Sequence, residues 1–136
     1  MMKKYLWLLT MMLMLVTVLP PAAASRGSQE ITYPAYIALE PVTVNLNTPR
    51  RTRFLRVEIE LLVQDEVNHQ LIDFNMPLIR DRIVTMLGGR NPEDLQTHEA
   101  RETLRQQLRE AVRDTLINAT GYEAINDLFF SGFIVQ

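Results

Sequence analysis

The chain has 136 residues, enough for one domain behind a short leader and too few for two domains. Lys3 and Lys4 are the only lysines among 14 cations, which leaves 12 arginines against 16 acids, a formal charge of -4 for the rest of the chain. That balance excludes a general nucleic-acid binder, which needs a net basic footprint, and the absence of cysteine excludes disulfides, thiol catalysis and a cysteine-linked lipid anchor.

From Tyr5 to Leu19 the sequence is almost unbroken apolar, with Thr10 and Thr17 as its polar interruptions. Lys3 and Lys4 precede the run, and Pro20-Pro21-Ala22-Ala23-Ala24-Ser25 comes directly after it. This is the basic, apolar and small-residue order of a secretory signal, with cleavage expected after Ala24. The two prolines end any helix there, since each lacks an amide donor. The run is shorter than the ~20 apolar residues of a membrane-spanning helix. Residues 1–24 therefore read as a signal peptide or as a short transmembrane anchor, and with the lysines held in the cytoplasm either one exports the rest of the chain. The methionines Met11, Met12 and Met14 are apolar filler, because thioether metal ligands need a site of defined geometry. Residues 25–34 form a polar linker, and 35–136 the exported domain.

Within the domain, Tyr36 to Leu46 reads as extended, with Val42, Val44 and Leu46 alternating with Thr43 and Asn45. Pro41 makes this an edge strand or breaks it in two. After a turn at Asn47-Thr48-Pro49 and a basic cluster (Arg50, Arg51, Arg53), the clearest strand runs from Arg53 to Val63. Leu55, Val57, Ile59, Leu61 and Val63 share one face, while Arg56, Glu58 and Glu60 share the other. Asp65-Glu66-Val67-Asn68 breaks the alternation and reads as a turn.

A helix is predicted behind Pro77 from Leu78, Ile79, Ile83, Val84 and Leu87, stopped by Gly88-Gly89. Asn91 is placed to cap a fresh turn that begins with Pro92, Glu93 and Asp94. Thr97 caps a long helix reaching about Asn118, with an apolar stripe of Ala100, Leu104, Leu108, Ala111, Val112, Leu116 and Ala119. Gly121 ends it. Tyr122 to Gln136 returns as a strand, with a bulge expected at Gly132. Strands, helices and a closing strand make an α+β domain, with the helices on one face of a small sheet.

No phosphate loop, nucleophile elbow or paired metal-ligand spacing occurs, so no catalytic residue, cofactor or metal is expected. His69 and His98 stand far apart among polar neighbours and read as loop or helix-end residues. Asp65 and Glu66 read as solvated turn acids. One pattern remains: Arg101, Arg105, Arg109 and Arg113 recur at every fourth position of the long helix. Like charges at this spacing repel by ~0.2–0.5 kcal/mol per pair in an isolated helix. The row reads as a solvated flank relieved by Glu102 and Glu110, its stems covering the edge of the core. The sharper reading is a contact surface for acidic groups of a neighbouring subunit or a partner.

Taken together, these residues resemble the FliL family. Tyr36-Ile37-Ala38-Leu39-Glu40-Pro41-Val42-Thr43-Val44-Asn45-Leu46 is similar to the family's opening, and Arg53 to Leu61 to its long alternating strand. Met76 to Val84, the turn Asn91-Pro92-Glu93-Asp94-Leu95, and the ending Phe129-Phe130-Ser131-Gly132-Phe133-Ile134-Val135-Gln136 complete the likeness. The resemblance implies a small stomatin-like (SPFH-like) domain on the periplasmic side of the bacterial inner membrane, at the flagellar basal body. It implies a non-enzymatic protein that forms homo-oligomers, a ring among the expected forms, around the motor's stator units and supports flagellar rotation, swimming and swarming motility and chemotaxis. The sequence departs from the family in its short N-terminal tail and weak anchor. The competing expectation is therefore a soluble periplasmic scaffold or binding protein of the same fold outside the motor.

Overall fold

The strand with the strictest alternation is the axis of the domain. In the computed structural model, which describes residues 30–136, β3 (Phe54–Val63) turns Leu55, Val57, Ile59, Leu61 and Val63 to the core, each 1% exposed or less. The expected leader, its cleavage after Ala24 and most of the linker lie outside the described residues. No helix among the described residues is long and apolar enough to cross a membrane.

Two short strands, β1 (Ala35–Ala38) and β2 (Val42–Asn45), pair antiparallel along the same edge of β3. Ala38 faces Glu60 and Val42 faces Val57, so Leu39, Glu40 and Pro41 stand against only Ile59 and Glu58. Pro41 offers no amide to the ladder, and the first extended stretch breaks there as its sequence implies. The Leu39 amide still donates to the Ile59 carbonyl at 2.9 Å, which keeps the two pieces in line. Along the other edge, β4 (Asp127–Val135) runs antiparallel to β3 and completes the four-stranded sheet. Glu58 pairs with Gly132 but Ile59 with Phe130, so Ser131 is the extra residue of a bulge. A Cβ on Gly132 would meet Glu58 Cδ and Oε2 at 3.0 Å, so a side chain there would have to shift the Glu58 carboxylate.

Three α-helices and one 3-10 turn lie between β3 and β4. The first, α1 (Glu66–Phe74), begins inside the segment Asp65–Asn68 expected to be a turn and runs on to Phe74. Asp65 is its cap: Oδ1 accepts the Asn68 amide at 2.8 Å, and Ile72 anchors the helix in the core. One short apolar anchor in nine residues is too little periodicity to mark a helix from sequence. The second, α2 (Met76–Leu87), buries Ile79, Ile83 and Leu87, while Leu78 and Val84 are 43% and 40% exposed. A 3-10 turn covers Pro92–Leu95. Asn91 sits at its N-cap position without capping it; its Oδ1 accepts from Asn47 instead, at 3.3 Å.

The third helix, α3 (His98–Thr120), is capped as its sequence requires: Thr97 Oγ1 accepts the Ala100 amide at 3.1 Å, and Gly121 takes the left-handed conformation at φ 82°. Leu104, Leu108, Ala111, Val112 and Leu116 are buried, but Ala119 is exposed, because the last turn projects past the end of the core. The closing strand begins at Asp127, not Tyr122; Ala124 and Ile125 are buried before it in a turn where Ala124 has φ 56°. Ile72, Ile79, Ile83, Leu87, Leu104, Leu108, Val112 and Leu116 join one core with the inward face of β3, so the helices cover one face of the sheet. On the opposite face Tyr36, Phe54 and Ile134 remain exposed.

Candidate interaction surface

Helix α3 lays its arginine row along the start of β4. The row tracks the border of the buried stripe, so every guanidinium is within reach of the chain's own acceptors. Arg105 is the centre. Its Nε and Nη2 donate to Glu102 Oε2 and Oε1 at 2.8 and 2.6 Å, a two-pronged pairing. Its Nη1 donates to Asp127 Oδ1 at 2.7 Å and to the Leu128 carbonyl at 2.8 Å. Arg109 pairs with Glu110 at 3.0 Å and approaches Asp127 at 3.6 Å. Arg113 bonds to Glu123 in the turn before β4 and lies 3.8 Å from Glu110. Arg101 donates to the Leu95 and Gln96 carbonyls at 2.9 and 3.3 Å and lies over the Phe133 ring, 5.1 Å from its centre.

The expected solvated flank is therefore a seam: the side chains of Arg105, Arg109 and Arg113 are only 17%, 28% and 26% exposed. Glu102 and Glu110 on the same helix, with Glu123 and Asp127 beside it, relieve the like-charge repulsion of the row. The Arg105 hydrogen bonds, with help from Gln106, bring the Glu102 carboxyl down to about 2. Burial pushes the Asp127 carboxyl up, but the Leu128 amide and the Arg105 guanidinium outweigh it and hold the group below its usual value. The Glu102 hydrogen bonds in turn raise Arg105 above an ordinary guanidinium.

The seam also blunts an edge. Among the described residues β4 pairs only with β3. The Leu128 amide is taken by Asp127 Oδ1 at 2.8 Å and its carbonyl by Arg105, so neither is left for another strand. Beside it, Arg101, Glu102, Arg105, Phe129, Phe130 and Phe133, together with His98, line a cleft of about 420 Å³. The rings of Phe130 and Phe133 lie 5.3 Å apart, and Arg105 stands 5.7 Å from the centre of the Phe129 ring. A cleft of this make-up can seat an apolar or aromatic side chain.

The other sequence-marked residues are not gathered here, apart from His98 at the start of α3. His69 is not a loop residue: in α1, its Nδ1 meets the Tyr33 hydroxyl at 3.0 Å and its Nε2 lies 3.6 Å from Asp73. Burial, then Glu66, Asp65 and Asp73, raises the Tyr33 hydroxyl above its usual value. No group of three or more histidines and acids among the described residues could hold a metal ion. Sequence reasoning missed Asp127, which joins Arg105 from 22 residues away. A lone acid at the start of an apolar strand was its one signal.

A family model described as flagellar basal body-associated protein FliL matches residues 36–136. A flagellar protein FliL of Aquifex aeolicus (strain VF5) is 27% identical over 96 residues, covering 71% of this chain and 57% of the relative. The chain thus spans little more than half the length of that relative.

Proposed function

This chain belongs to the FliL family, and on that premise we propose that it is a non-enzymatic component of the flagellar basal body that works beside the motor's stator units. In this reading it supports rotation, and through rotation swimming and swarming motility and chemotaxis. The observation that carries it is the family match over residues 36–136, which covers all but the first residue of β1 and every later strand and helix of the domain. The stomatin-like character is part of the same reading, supported by the order of strands, helices and closing strand. The Lys3-Lys4 pair, the apolar run and the Ala22-x-Ala24 pattern support a place at the inner membrane with the domain on the periplasmic side.

Assembly of copies with one another belongs to the proposal as well. Arg105 is committed within the chain, so a neighbour's carboxylates would meet the exposed remainder of Arg101, Arg109 and Arg113. Exchanging Arg109 and Arg113 for glutamate lowers the oligomeric state in this account; assembly unchanged by the exchange removes the row from the contact.

Deletion of the gene tests the function. The mutant still builds flagella but swims more slowly and spreads less in soft agar, and the intact gene restores both. Unchanged swimming speed and spreading contradict the motor role and favour the soluble periplasmic scaffold outside the motor.

A further inference from the structure

The outer face of α1 carries side chains that the fold does not use. Ile72 enters the core, whereas Phe74 is 88% exposed and Val67 is 68% exposed. At the helical repeat these two lie within about 20° of one another, and Leu71 only ~40° from Val67. Leu71 is half-buried against the core, so apolar surface runs unbroken from core edge to solvent. Leu78, exposed at the start of α2, comes four residues after Phe74.

One flank of this stripe is acidic. Glu66, Gln70 and Asp73 are exposed beside it, with Gln70 Nε2 donating to Glu66 Oε1 at 3.2 Å. Beyond them Asp73 approaches His69, which is bonded to Tyr33. Tyr33 thus lies on the far flank, and among the described residues the stripe stays open. Helix α1 contains no lysine or arginine.

We propose that this face of α1 docks a basic amphipathic helix from a partner protein. Exposed apolar stripes with a polar border mark such surfaces, and a partner helix meets them through anchors at helical spacing. The partner's apolar residues cover Val67, Leu71, Phe74 and Leu78, and its lysines or arginines face Glu66 and Asp73. The same acids repel an anionic lipid surface. An α1-to-α1 contact between two copies would set like charges against each other. Charge therefore selects a basic protein segment. The inference does not rest on the flagellar reading.

The test uses the full-length chain in neutral detergent and a dye-labelled amphipathic peptide of leucine and lysine at helical spacing. Binding read by fluorescence anisotropy is saturable and weakens at least about tenfold in the double variant Val67→Ser, Phe74→Ser. The charge variant Glu66→Gln, Asp73→Asn weakens it several-fold, most at low salt. Both pairs are exposed, so melting temperatures stay at the parent value and confirm that the variants fold. Equal affinity in the apolar double variant overturns the proposal, as does equal binding of a leucine and glutamate peptide. Phosphatidylglycerol vesicles that sediment with the parent and not with the apolar variant also overturn it, by making the face a lipid contact.

Discussion

Arg105 and Asp127 stand 2.7 Å apart, nitrogen to oxygen, and join the first half of α3 to the first residue of β4. The same guanidinium grips Glu102 with two further donors, so one side chain ties helix, strand and a flanking acid together. Both partners are more than two-thirds covered, which makes this pair more than a surface ion pair.

A double-mutant cycle on the pair measures that tie. Arg105→Met costs about 1–3 kcal/mol, as expected for losing charge-assisted bonds at a half-buried site. Asp127→Asn costs less, since Glu102 still holds Arg105. The coupling between them is about 1–2 kcal/mol by urea denaturation; a coupling near zero means the two act independently.

Acid should loosen the same seam. Glu102 and Asp127 both have folded-state values below their unfolded ones, so their contribution is full above the usual carboxylate range. It is lost as pH falls from about 4.5 through the depressed Glu102 value of about 2. Thermal melts across that window fall steeply for the parent and less steeply for Glu102→Gln. Parallel slopes would place the acid-sensitive group elsewhere.

Ile59 reports on the sheet. It is 1% exposed on the central strand, between Leu39 on one edge and Phe130 on the other. Ile59→Ala leaves a cavity and costs about 2–5 kcal/mol in chemical denaturation. A loss below about 1 kcal/mol is what a surface position gives, and would contradict its burial.

The sheet was legible because its pattern is local and strict: alternate residues of β3 are buried without exception, and Pro41 and the bulge beside Gly132 announce the irregularities. The long helix was legible for a similar reason, with Thr97 and Gly121 marking its ends. What sequence could not show depends on distance. Arg105 looked like one member of a solvated row because its partner Asp127 is far along the chain. Helix α1 was missed because it buries Ile72 alone and turns Phe74 and Val67 outward, so apolar residues did not mark its inner face.

Gly121 tests the end of α3. At φ 82° an alanine is strained although nothing lies within 4 Å of its Cβ, so Gly121→Ala costs about 1 kcal/mol through the backbone alone. Asn, which tolerates this conformation better, should recover part of that loss in the same denaturation assay.

The place of the protein in the cell bears most directly on the whole account. A fluorescent protein that matures in the periplasm, fused after Gln136 and expressed from the native locus, is imaged together with a labelled basal-body component. The account predicts bright foci that coincide with basal bodies. Fluorescence spread evenly through the periplasm, in cells whose basal bodies are labelled and intact, would contradict it.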